Sequence, residues 1–164
     1  MKEVSLYDEL FKELEDPVED LTTGEVDNSK LQSRTLKYES DIPKLERMCY
    51  IMEKMILDQD EPEEETTVYA GFQKVSRARE IWDRFLEMAE NVGQIYIFGE
   101  DDADLKSHPN IDFIYLPDKH PFKREWFLVL DQPLSKSMMV AYDLDGFGVY
   151  EDEKKRNFKG GKTN

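Results

Sequence analysis

The run Glu125-Trp126-Phe127-Leu128-Val129-Leu130-Asp131 carries large apolar side chains at both parities. In an extended strand Trp126, Leu128 and Leu130 point to one face, and Phe127 and Val129 to the other. A strand apolar on both faces has to be covered on both, which places it inside a sheet with a layer on either side. Glu125 opens the run and shares a face with Phe127. A carboxylate at the end of a buried strand needs a hydrogen-bond or charge partner. Arg77 is the natural candidate, with Arg124 and Gln73 as others. Two readings stay open for Gln73, Arg77, Arg124, Glu125 and Trp126: a structural polar clasp at the end of the sheet, or a ligand-binding group at the mouth of a pocket. Phe72, Phe98 and Tyr115 are the candidate pocket lining, since an apolar, aromatic cleft with a few convergent polar groups is the usual form of a small-molecule site.

The rest of the chain divides at about residue 66. Before it the apolar spacing is helical. Leu6, Leu10 and Leu14, with Tyr7 and Phe11 beside them, mark a helix over 5–15, with Ser5 as N-cap and Pro17 as its end. Leu45, Met48, Cys49, Met52, Met55 and Ile56 mark a second over about 41–57, with Pro43 in its first turn. Residues 17–34 read as loop, and 35–38 as a short strand at most. After residue 66 the apolar runs become short, β-branched and aromatic. Strands are expected at 66–72, 94–98, 111–116, 125–131 and 137–142. A helix over about 76–91 lies between the first two, its buried face formed by Ala78, Ile81, Trp82, Phe85, Met88 and Ala89.

Strand–helix–strand over 66–98 predicts a parallel pair, and the shorter later connections suit antiparallel pairing. The fold class is therefore α/β in the broad sense (α+β). A mixed sheet of about five strands is expected, a β-α-β core followed by further strands, with the two N-terminal helices packed on it. Residues 1–60 are the N-terminal helical part of the same domain, 61–65 an acidic connector, 66–150 the core and 151–164 a polar, mobile tail.

With 37 acidic against 22 basic residues the formal net charge is −15, so phosphate backbones and anionic lipid are poor partners. No nucleic-acid or membrane partner is expected. The single cysteine, Cys49, excludes an internal disulfide, no run approaches a membrane span, and the first residues lack a signal-type apolar segment. A cytoplasmic location follows as the expectation.

No assembled catalytic set is legible. Cys49 sits on an apolar helical stripe without a base. His108 and His120 lie in loops beside prolines, and neither pairs at metal-ligand spacing. Asp143-Leu144-Asp145-Gly146 begins like a calcium loop, but its glycine is two positions early and Lys154 stands where the closing glutamate belongs, so a turn explains it better. Asp101, Asp102 and Asp104 follow a strand end, where ligands gather in open α/β sheets. They keep a Mg²⁺-dependent enzyme as an alternative, against the simpler reading of a solvated loop.

Four stretches in order resemble one family: Tyr69 to Arg77 (YAGFQKVSR), Ile95 to Gly99 (IYIFG), Leu116-Pro117, and Arg124 to Asp131 (REWFLVLD). Together they are similar to the DICT sensory domain of diguanylate cyclases and two-component systems, over roughly residues 66–142. Phe158 to Thr163 is similar to a further stretch of that family but lacks the aromatic before the threonine. The resemblance implies an α+β sensory module acting in signal transduction, joined to output domains, and brings no catalytic residue and no settled ligand. The expected function is a non-enzymatic sensor that binds a small molecule or a signalling partner protein and relays a conformational change. A ligand-free protein-interaction domain is a further alternative. The cofactor is unknown, and helix 5–15 is either a cover for the sheet or a relay or homodimer contact.

Overall fold

A computed structural model describes residues 5–11, 18–22 and 35–163. Among them, helix α1 (Leu6–Phe11) is followed by strands β1 (Val18–Asp20) and β2 (Thr35–Asp41), helix α2 (Ile42–Leu57) and strand β3 (Glu63–Lys74). A 3-10 segment, Val75–Ile81, leads into helix α3 (Trp82–Ala89). Strands β4 (Val92–Glu100), β5 (Ile111–Tyr115), β6 (Glu125–Asp131), β7 (Lys136–Asp143) and β8 (Asn157–Thr163) complete the order, with short 3-10 turns at Pro121–Arg124 and Glu153–Lys155. The strands form one mixed sheet in the order β1-β2-β8-β7-β6-β3-β4-β5. The α+β class agrees with the sequence reading, but the sheet has eight strands among the described residues rather than about five.

β6 lies between β3 and β7, antiparallel to both. Trp126, Leu128 and Leu130 join the larger core under α2 and α3, with Leu45, Met48, Met52, Phe85 and Met88. Phe127 packs on the opposite face with Phe11 and Val140, flanked by Leu6, Tyr7, Phe98, Phe122 and Val129. The strand is thus covered on both sides, as its composition demanded.

The helices follow local chemistry. Asp41 caps α2, its carboxylate accepting from the Lys44 N–H at 3.2 Å, and Pro43 sits in the first turn where no amide hydrogen is needed. The predicted stripe of α2 is buried except for Met55, which is exposed. Ser5 caps α1 through the Asp8 N–H at 3.3 Å. Leu10 of its expected stripe faces outward, while Phe11 is buried. Leu14 and the rest of the expected helix lie outside the described residues. The helix expected over 76–91 opens as the 3-10 segment and becomes α-helical only from Trp82.

Four expectations are corrected. Val18–Asp20, expected as loop, pairs parallel with β2, and β2 itself runs on to Asp41. β3 begins at Glu63, inside the expected acidic connector: the exposed side chains of Glu64 and Glu65 stay in water while their backbone extends the strand. β5 runs parallel to β4, not antiparallel. The crossover 101–110 achieves this without a helix, because Trp82 Nε1 donates to the Lys106 carbonyl at 2.8 Å and Leu105 packs on the core.

The largest correction is the tail. Asn157–Thr163 is strand β8, antiparallel to both β2 and β7 inside the sheet. Phe158 is fully buried, and the two glycines are close-approach positions. A side chain on Gly160 would overlap the Tyr38 ring on one face, and a Cβ on Gly161 would lie 2.7 Å from the Phe11 ring on the other. The glycines that made the segment look mobile are what lets aromatic rings close over it.

Candidate functional site

On the Trp126 face of the sheet, a cavity of about 690 Å³ lies between α2, the segment Val75–Ile81, α3 and the loop 144–156. Its volume is in the range of small-molecule sites. Ile42, Cys49, Tyr50 and Glu53 come from α2, Phe72 and Trp126 from the sheet, and Arg77, Ile81 and Arg84 from the helical segments. Phe147 and Arg156 come from the loop. Aromatic faces and guanidinium groups therefore meet in one space.

The floor is a buried polar network centred on Gln73. This residue lies next to the end of β3, within a register shift, and takes a left-handed backbone conformation, φ 66°. Non-glycine residues rarely adopt it, and where they do the surroundings hold them there. The turn carries the Gln73 amide under the cavity. Its nitrogen donates to Asp143 Oδ2 at 3.1 Å and to the Lys123 carbonyl at 3.3 Å. Its oxygen accepts from Arg77 Nη1 at 2.5 Å and from Arg156 Nη1 at 3.4 Å. Arg156 and Asp143, both almost fully buried, form an ion pair at 2.5 Å. Glu153 lies 2.9 Å from Arg156 Nε. The Arg156 guanidinium also lies 3.9 Å from the centre of the Phe147 ring.

Arg77 differs from its neighbours. Its guanidinium stacks 4.5 Å above the Trp126 ring. Both of its hydrogen bonds, to Gln73 Oε1 and to the Phe72 carbonyl at 3.4 Å, leave from Nη1. Burial, and then the nearby charge of Arg156, pull its pKa down to about 10. Arg84, by contrast, is paired with the buried Glu53. Burial pushes Glu53 above the usual carboxylate value, with Arg84 opposing that shift.

Of the eight residues singled out in the sequence, Phe72, Arg77 and Trp126 line the cavity and Gln73 lies directly beneath it. Arg124 braces the floor from the side, donating to the Asp143 carbonyl at 2.7 Å and lying over the Tyr142 ring. The other three are elsewhere. Phe98 packs against Phe122 and Phe127 on the opposite face of the sheet. Tyr115 is exposed on the edge strand, stacked on Phe113.

Glu125 is fully buried, but its partner is none of Arg77, Arg124 or Gln73. It faces α1, accepting from Ser5 Oγ at 2.8 Å and from the Tyr7 N–H at 2.9 Å. Burial raises its pKa despite those bonds. Neighbours along a strand point to opposite faces, so Glu125 and Trp126 were never able to share one site. In place of the expected clasp, Glu125 ties α1 to the sheet.

The remaining candidates are accounted for structurally. Asp102 spends both carboxylate oxygens on Ser76, on its N–H at 2.8 Å and its hydroxyl at 2.5 Å, and so anchors the start of the 3-10 segment. Among the described residues no three His, Cys, Asp or Glu side chains gather in a metal-holding group. Asp143 Oδ1 accepts from the Asp145 and Gly146 N–H groups, a side-chain-capped turn in place of a calcium loop. Burial pushes the Cys49 thiol well above its usual pKa, and the nearby Glu53 adds to that. His108 bonds to Glu90 and His120 to the Phe122 N–H.

Asp143, Phe147 and Arg156 were missed, along with the α2 contribution to the cavity. Asp143 was legible only as a turn, and Arg156 sits in a charged run that gives no sign of burial. The faint signal was the apolar Phe158 two residues after Arg156.

The profile of the DICT family, described as a sensory domain in diguanylate cyclases and two-component systems, matches residues 24–144. The match covers well over half of the chain, and the chain belongs to the DICT family. The four stretches that suggested the kinship all lie within it. The family is a sensory domain of signalling proteins, and a general sensory role follows for this chain. No curated protein and no solved structure matches it. Among the described residues no helix is long and apolar enough to cross a membrane.

Proposed function

We propose that this domain senses by taking a small molecule into the cavity beside Trp126 and relaying its occupancy to a signalling partner. It acts without catalysis, as a cytoplasmic component of a two-component or related signalling system. One observation carries the reading: the 690 Å³ cavity brings Phe72, Trp126, Arg77 and Arg156 to one space beside the core. The cleft is partly open to solvent, so a small molecule can reach these rings and guanidinium groups without unfolding the core.

The relay follows from the parts the cavity joins. Its walls belong to three separately connected pieces: α2, the continuous helical stretch of Val75–Ile81 and α3, and the loop 144–156. A guest that contacts all three favours the arrangement in which they are drawn together. That is a population shift, and its size is set by the guest's differential affinity for the two arrangements. Gln73 links the floor of the cavity to the entrance of β6, through the Lys123 carbonyl, and to the end of β7, through Asp143.

The test is a native mass spectrum of the purified chain alongside a denaturing one. The expected result is a native mass above that of the 19.4 kDa polypeptide, with the excess lost on denaturation. A bare native mass, together with no thermal shift across a set of small aromatic fragments, would sink the proposal.

A further inference from the structure

We propose that the guest is a small monocarboxylate with a flat apolar or aromatic body, its carboxylate held on the free edge of Arg77. This rests on the reading of the cavity as the sensor's ligand site and adds the chemistry of the ligand.

The cations around the cavity are not equivalent. Arg84 is paired with Glu53, Arg156 with Asp143 and Glu153, and Lys154 with Glu46 at 4.0 Å. Among the described residues Arg77 has no carboxylate in ion-pair contact. Among the described residues no hydrogen bond leaves its Nε or its Nη2, since both of its bonds use Nη1. Arg77 is half-buried, and neither of these nitrogens is a sealed-off orphan, so an anion in the cavity can reach the open edge. The plane of the group is already fixed by the Trp126 ring beneath it and by Gln73, so the open edge presents parallel donors. That geometry matches a carboxylate bidentately, where a lysine ammonium would not.

The rest of the cavity limits the guest further. Glu46, Glu53, Glu80 and Glu153 also line it, so a second negative charge would meet carboxylates. This disfavours dianions such as a phosphate monoester. Phe72, Phe147 and the carbon rings of Trp126 offer apolar surface, which suits a flat apolar body. The chain's net charge of −15 gives no long-range attraction for an anion, so selection has to come from local contact.

The experiment is a calorimetric titration of the full chain with 3-phenylpropionate, its uncharged amide and phenyl phosphate, repeated on Arg77→Gln. The expected result is that the carboxylate binds at least tenfold more tightly than the amide and more tightly than the phosphate. Arg77→Gln should bring carboxylate affinity down to that of the amide while the amide is unaffected. Equal affinity for carboxylate and amide overturns the inference and leaves the pocket reading standing. So does a carboxylate preference that survives Arg77→Gln. Tighter binding of the phosphate overturns the monoanion assignment. If no probe binds, the inference falls, and the native mass spectrum decides separately whether the pocket reading falls with it.

Discussion

The two faces of β6 are built from alternate residues of one strand, yet they end differently. On the Phe127 face, α1 lies against the sheet and aromatic rings fill the space: Phe98, Phe122 and Phe127 pack with centroids 5.4 to 6.4 Å apart. The buried charge on that face, Glu125, is answered by Ser5 and the first turn of α1. On the Trp126 face the covering elements leave a cavity, and the charge that lines it, Arg77, keeps an unanswered edge. One face is assembled to hold an element in place, and the other is left incomplete. Incompleteness of that kind is where natural sequences trade stability for function.

The comparison can be broken most forcefully at the shared floor. Asp143→Ala removes the buried partner of Arg156, leaving it only the more exposed Glu153, and breaking a buried ion pair typically costs about 3–5 kcal/mol. Urea denaturation should show a loss of that order. A loss under about 1 kcal/mol would mean that Arg156 reaches water and that the floor is not the buried network described.

The closed face is tested by Glu125. Glu125→Ala strands the Ser5 hydroxyl and the Tyr7 N–H and should cost about 1–3 kcal/mol. Glu125→Gln keeps an acceptor and should cost much less. Its pH dependence has a definite sign. Because burial raises the folded-state pKa above the usual 4.5, the folded protein holds its proton more tightly than the unfolded chain does. The native protein therefore loses stability as pH rises from about the unfolded value through the raised folded one. Relative to Glu125→Gln it should be at its best at the acid end of that window. A native protein that instead gains on Glu125→Gln as pH rises through that window would contradict the assignment.

The smallest effect is expected on the open face. Arg77→Met removes a half-buried charge that has no ion-pair partner among the described residues, together with one cation–ring contact and two hydrogen bonds. These terms oppose each other, and the net change should stay within about 1 kcal/mol. A loss as large as that of Asp143→Ala would make Arg77 a structural residue.

How much of this was legible follows from the physics of each element. The doubly apolar pattern of 125–131 required a covered central strand, and the stripe of α2 is explained by helical periodicity alone. The candidate site was half legible. Phe72, Gln73, Arg77 and Trp126 do converge, because β3 and β6 are neighbours and Phe72 pairs with Trp126. Glu125 was joined to them by closeness in sequence, and strand alternation places it on the other face. β8 was missed because its burial comes from rings contributed by Tyr38 and Phe11, distant in sequence, closing over glycines. Local polarity carries no trace of such contacts. Arg156 and Asp143 were hidden for the same reason: a buried ion pair looks, in sequence, like two surface charges.

The central claim is that the Trp126 face admits a guest and the Phe127 face does not. Side-chain methyl NMR during a titration with 3-phenylpropionate tests it most directly. Ile42 and Ile81 line the cavity, while Val129 and Val140 lie on the α1 side. The methyl signals of the two isoleucines should move with added ligand while those of the two valines hold still. Movement confined to Val129 and Val140, or equal movement on both faces, would contradict the account.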